Sequence, residues 1–233
     1  MWGQRDDTTR ARPAPTRRHD PGRFGPLGCA CGVALVALAA GSCGNELVTA
    51  SRTSSALVIE QLNAASGANP QVLRNVLQSD VVTNVKTTVG AEVFLVPTIF
   101  EDIGQVIARL SFKDPGTPAN PTTPTSANWI TVTRYRVVFK RGDGRDVPGV
   151  DVPHPFDGAA TFSVLDIGAA TFTLVRAQAK LEPPLLALRG GGGAVVLSTI
   201  AEVTFFGHDQ TGATVSATAE ISVNFADWGD PES

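Results

Sequence analysis

Residues 195–225, VVLSTIAEVTFFGHDQTGATVSATAEISVNF, decide the fold. Val215, Ala217, Ala219, Ile221, Val223 and Phe225 alternate with Thr214, Ser216, Thr218, Glu220, Ser222 and Asn224. Successive side chains of a strand point to opposite faces, so this pattern predicts a strand with one buried and one wet face. The preceding run places Val195, Leu197, Thr199, Ala201, Val203 and Phe205 on one face in the same way. Between the two runs lies Gly207-His208-Asp209-Gln210-Thr211-Gly212, a short connection rich in turn residues. The stretch therefore reads as a β-hairpin.

Working outward, residues 129–140 are rich in β-branched and aromatic residues, and a second hairpin is expected around Gly142-Asp143-Gly144. The parity there is mixed. Tyr135, Val137 and Phe139 share one face, whereas Ile130, Val132 and Val138 share the other. A bulge or burial on both sides accounts for that. Further strands are expected over residues 56–62, 81–86, 92–96, 105–113, 162–165 and 171–178. Residues 70–77 follow Asn69-Pro70 and set Val72, Leu73, Val76 and Leu77 at helical spacing, which predicts a short helix. Residues 114–128 carry Pro115, Pro118, Pro121 and Pro124 and form an exposed loop. Residues 148–155 make a second Pro-studded crossing, and Gly190 to Gly193 a flexible one. About nine short strands with almost no helix predict an all-β chain folded as a β-sandwich.

The other end of the chain reads as an address. Residues 1–26 are mostly basic, with six arginines against Asp6, Asp7 and Asp20, and four prolines argue against a folded element. Residues 27–40 are 14 apolar or small residues. A bilayer needs about 20 in a helix, so the length fits the apolar core of a signal peptide. Then come Ala40-Gly41-Ser42-Cys43. A cysteine after small residues resembles the lipobox of a bacterial lipoprotein, with Ala40 standing where Leu is usual. The resemblance implies removal of residues 1–42 and a lipid on Cys43. Two alternatives remain: an uncleaved anchor over residues 24–45, and a free cysteine beside an ordinary cleavage site after Ala40. Arg17-Arg18 is followed by His19-Asp20-Pro21, which lacks the apolar pair of a twin-arginine signal.

The expected organisation is a signal peptide over residues 1–42 and a lipid-attached linker over residues 43–54. A β-sandwich over residues 55–228 and a tail over residues 229–233 follow. The linker spans at most roughly 35–40 Å when extended, which would hold the domain near the membrane surface. Cys29 and Cys31 would leave with the signal, so Cys43 would be the one cysteine kept and no internal disulfide could form. Residues 43–233 carry 13 Lys and Arg against 19 Asp and Glu, a net charge of −6. That balance disfavours nucleic acid as a partner, because such binding depends on neutralising phosphates.

Catalytic signatures are scarce. Residues 43–233 hold only His154 and His208, and no nucleophile elbow, zinc-protease motif or P-loop occurs. His154 lies between two prolines and His208 in the expected turn, so neither nominates a general base or metal site. No catalytic residue, cofactor or metal ligand is therefore expected. Asp143, Asp146, Asp151 and Asp157 are the nearest thing to a calcium set, but their spacing departs from the EF-hand pattern and Arg145 stands among them. Arg134, Arg136, Lys140, Arg141 and Arg145 form a locally basic stretch that could meet anionic lipid, or simply protect a sheet edge. Trp129, Tyr135 and Trp228 are the available aromatic platforms for a sugar.

Three stretches carry a family impression: RYRVVFKRGDGRDVPGVDVPHPFDG at residues 134–158, LVRAQAKLEPPL at 174–185 and STIAEVTFFGHDQTG at 198–212. Over residues 38–230 the chain resembles uncharacterised bacterial lipoproteins with an immunoglobulin-like β-sandwich. The resemblance implies a lipid-anchored place in the cell envelope, outside the cytoplasm, and an architecture. It implies no reaction, because this fold hosts many tasks. The expectation is a non-enzymatic protein with a structural or protein-interaction role, its partners the membrane and an envelope protein. The alternative is a module that binds a glycan or other ligand.

Overall fold

The computed structural model describes residues 53–228, and they are predominantly β-structure. Twelve strands follow one another: β1 (Ser55–Ala65), β2 (Val76–Asp80), β3 (Thr83–Val89), β4 (Glu92–Thr98), β5 (Asp102–Phe112), β6 (Gly116–Thr117), β7 (Asn120–Pro121), β8 (Ile130–Lys140), β9 (Phe156–Val164), β10 (Ile167–Val175), β11 (Leu197–Asp209) and β12 (Thr214–Ala226). Two short 3-10 helices, Ala177–Leu181 and Leu185–Leu188, lie between β10 and β11. No helix among the described residues is long and apolar enough to cross a membrane.

The main strands form two sheets, in the orders β1-β5-β10 and β2-β12-β11-β8-β9. β2 runs parallel to β12, while the other neighbours are antiparallel. Their inner faces meet in one core. Leu57, Val106 and Leu174 enter from the first sheet, and Val137, Val203, Phe205 and Phe225 from the second. Tyr135 and Phe172 meet edge-on across the sheets, 4.9 Å between ring centres, and Phe205 packs against both.

The closing hairpin forms as its alternation predicts. Leu197, Thr199, Ala201, Val203 and Phe205 are buried, and so are Val215, Ile221, Val223 and Phe225. Val195 falls outside the strand and is exposed. The turn is shorter than expected, since β11 runs on to Asp209. The Asp209 carboxylate accepts from the backbone N–H of Thr211 and of Ala213, at 2.9 and 3.0 Å, which closes the turn.

The mixed parity of β8 comes from a bulge. Ile130 and Val132 are buried, then Tyr135, Val137 and Phe139, with a register shift between Val132 and Arg134. One extra residue switches the buried set from even to odd positions without turning the strand over.

Three expectations need correction. Residues 70–75 lead through a turn into β2, which takes up Val76 and Leu77, and no helix forms there. Val72, Leu73 and Val76 are exposed, and only Leu77 is buried, paired with Val223 of β12. A free sheet edge outweighed a helical spacing only two turns long. The Gly142-Asp143-Gly144 turn is present, with Gly144 at φ +76°, but it is one part of a long crossing, because β9 does not begin until Phe156. The strand expected over residues 171–178 ends at Val175 and gives way to the first 3-10 helix. Of the strands beyond the nine expected, β2 replaces the helix, and β6 and β7 are two-residue pairs inside the Pro-rich loop.

Candidate functional site

Cys43 lies outside the described residues. The acids of the 141–157 crossing do not converge. Asp143 binds Arg141 and Arg145, with nitrogen–oxygen distances of 2.7 and 2.8 Å. Those bonds hold its carboxyl well below the usual carboxylate range. Asp146 accepts from the Arg141 backbone at 2.6 Å, and Asp151 from the Val147 backbone at 3.3 Å. Asp157 lies between Arg134 and Arg136 at 3.6 and 3.5 Å. Among the described residues no three His, Cys, Asp or Glu side chains gather as a metal set. The basic stretch is consumed by the same pairs. Lys140 bonds Glu202 at 2.5 Å, and the Arg134 guanidinium stacks 3.8 Å over Phe206.

Of the aromatic platforms, Tyr135 is a core residue. Its ring is buried and its hydroxyl donates to the Thr173 carbonyl at 3.0 Å. Trp129 and Trp228 are half-buried. Trp228 is held by its backbone N–H, which donates to Asp80 at 3.1 Å. His154 and His208 are both exposed, and His208 lies at the end of β11 and not in the turn.

Three features stand out that no sequence motif announced. The first is a groove of about 650 Å³ between β1 and β2, which belong to different sheets. It is lined by Gln61 and Asn63 from β1, by Val76 and Gln78 from β2, and by Leu73, Arg74 and Asn75 leading into β2. A reciprocal backbone pair, Ala64 with Arg74 at 2.8 Å each way, lies beside it. A smaller recess of about 180 Å³ shares Arg74, Val76 and Gln78 and adds Ser66 and Asn69.

The second is the β3–β4 ribbon, a two-stranded sheet that pairs with no other strand among the described residues. Its register puts Val85, Phe94 and Val96 on one face and Val93 and Leu95 on the other. Val89, Val93, Phe94, Leu95 and Val96 are 44–65 % exposed. An isolated hairpin is marginal in water, and contiguous exposed apolar surface marks a contact site. The ribbon springs from the end of the sandwich where Asp80 closes β2 and Asp102 opens β5. Ser55, where β1 begins, pairs with Phe112 at the opposite end.

The third is a buried charge cluster at the ribbon's root. Lys180 is 1 % exposed and Asp102 not at all. The Lys180 Nζ lies 3.0 Å from Oδ1 and 2.9 Å from Oδ2 of Asp102. Gly67 N–H donates to Oδ1 at 2.9 Å and the Ser79 hydroxyl to Oδ2 at 2.6 Å. Burial pushes the Asp102 carboxyl up, against the opposing pull of Lys180 and these bonds. Each oxygen has two donors, and the cluster ties the end of β1, β2, β5 and the first 3-10 helix together. Its saturation makes it a structural tie and not a reactive site. A signal existed in the sequence: Lys180 sits among Ala177, Ala179, Leu181 and Leu185, a setting in which a cation needs a buried partner.

No family model matches the chain, and no curated protein or solved structure matches it.

Proposed function

We propose that the chain is a membrane-anchored envelope lipoprotein, tethered by a lipid on Cys43 after loss of residues 1–42, with a structural or protein-interaction role and no catalysis. The sandwich is of the immunoglobulin-like type. Its strand plan supports this: β1-β5-β10 faces β2-β12-β11-β8-β9, so the first two described strands divide between the sheets and β2 lies parallel to β12. The observation that carries the interaction role is the apolar β3–β4 ribbon, which stands at the end of the sandwich away from Ser55. A tether leading into Ser55 leaves that ribbon facing away from the attachment point.

Mass spectrometry of the N-terminus of membrane-extracted protein tests the anchor. A diacylated or triacylated Cys43 is expected, and an intact N-terminal segment or cleavage elsewhere overturns it. Co-purification from solubilised envelopes tests the interaction role. A fixed protein partner that is lost on Phe94→Asp supports it, and hydrolytic turnover by the purified protein would replace it with an enzymatic reading.

A second reading, a glycan- or ligand-binding module, is favoured by the β1–β2 groove. Its polar lining leaves several side chains free to bond a ligand.

A further inference from the structure

The β1–β2 groove is lined by four amide-bearing residues, Gln61, Asn63, Asn75 and Gln78, and by Arg74. None of these five side chains has a hydrogen bond or ion pair among the described residues. The nearest acid along β1, Glu60, is taken by Arg109 at 2.6 Å. Each amide offers two N–H donors and one carbonyl acceptor, and the guanidinium offers a planar fork of donors. Solvated amides on a convex strand face would mean little. Here they line a concave seam whose size is in the range of small-molecule sites. Such sites are mostly apolar, whereas this one has only Leu73 and Val76 as apolar lining. A ligand matched to it exposes hydroxyls, which both donate and accept, and not an apolar body.

Charge narrows the class further. Arg74 is the one charged side chain in the lining, and a guanidinium fork fits a carboxylate with two parallel hydrogen bonds. Residues 43–233 carry a net charge of −6, which repels a dense polyanion. Isolated carboxylates spaced along a hydroxyl-rich chain satisfy both conditions. We propose that the β1–β2 groove binds a glycan chain with spaced uronate carboxylates, Arg74 taking a carboxylate and Gln61, Asn63, Asn75 and Gln78 the hydroxyls. This rests on the ligand-binding reading above and names its site and ligand class.

The test is titration of the full-length protein in detergent with a hyaluronan hexasaccharide, which carries a carboxylate on every second sugar, and with its carboxyl-reduced counterpart. The expected result is binding of the acidic form, weakened about ten- to a hundredfold by Arg74→Gln, and a similar loss on carboxyl reduction. The melting temperature should not change, because the Arg74 side chain is exposed. Binding of both forms with equal affinity, lost on Gln61→Ala with Gln78→Ala but not on Arg74→Gln, overturns the carboxylate assignment and leaves the ligand-binding reading standing. No binding of either form overturns the proposal. Equal binding of heparin, falling steeply with salt, would mark simple ion exchange and also overturn the proposal.

Discussion

The Lys180 ammonium lies within 3.0 Å of both carboxylate oxygens of Asp102, with neither side chain reaching solvent. Taking two charges out of water is costly, and only good geometry with the remaining lone pairs satisfied offsets it. Gly67 and Ser79 supply that satisfaction. The pair thus fixes where four elements meet without being a large net source of stability.

Breaking it from one side leaves a buried charge alone. Lys180→Met is expected to destabilise the fold by about 3–5 kcal/mol, read as a lower urea midpoint. The double variant Lys180→Met with Asp102→Leu should recover much of that loss, short by about 1 kcal/mol for each donor left without an acceptor, Gly67 N–H and Ser79. A double variant no better than the single would show that the pair itself stabilises.

Gly104 makes room for an aromatic ring. A Cβ there would run into the Phe172 ring, which packs against Tyr135 and Phe205. Gly104→Ala should cost about 1–3 kcal/mol from overpacking. Adding Phe172→Leu should make the pair more stable than Gly104→Ala alone. Thermal unfolding of the three variants measures this, and a purely additive double loss contradicts it.

The ribbon should be dispensable to the sandwich. Phe94→Asp and Leu95→Asp replace exposed side chains in a sheet that pairs with no other strand among the described residues, so each should change stability by no more than about 0.5 kcal/mol. Both should reduce binding of an apolar dye by the folded protein. A large fall in melting temperature would mean the ribbon is part of the core.

Two aspartates should give opposite pH trends. Arg141 and Arg145 hold the Asp143 carboxyl below its ordinary value of 3.8. Its stabilising contribution is full above that value and fades as pH falls further. The melting advantage of the native chain over Asp143→Asn should therefore be small, since the site is solvent-screened, and shrink below about pH 4. Partial burial raises the Asp80 carboxyl, so its ionisation opposes folding at neutral pH. The native chain should gain relative to Asp80→Asn as pH falls through the raised value. Melting curves from pH 7 to about pH 2 decide both.

What was legible in the sequence was whatever depended on local alternation. β11 and β12 follow from period two because one face of each is buried along most of its length. The bulge in β8 was visible as a change of parity. β2 was not legible, because five residues at a sheet edge are fixed by their partner β12 and carry too few positions to show a period. The groove was invisible for a related reason. Gln61 and Gln78 lie on different sheets and look like ordinary wet-face residues until the seam between β1 and β2 brings them together. Tyr135 is no platform: it belongs to the core face that its alternation with Val137 and Phe139 indicated, and what the local sequence did not show is that its hydroxyl reaches a carbonyl on the opposite sheet.

The parallel pairing of β2 with β12 bears on how the protein would carry tension. The five residue pairs from Val76 with Ser222 to Asp80 with Ala226 join the second of the described strands to the last of them. Pulling the two ends of the chain apart draws β2 backwards and β12 forwards along their common axis. The ladder between them is then strained along its whole length at once and cannot open rung by rung like a zip. A protein held at one end and grasped at the other would put that ladder in shear, behind the β1–β5 pairing that precedes it in the chain.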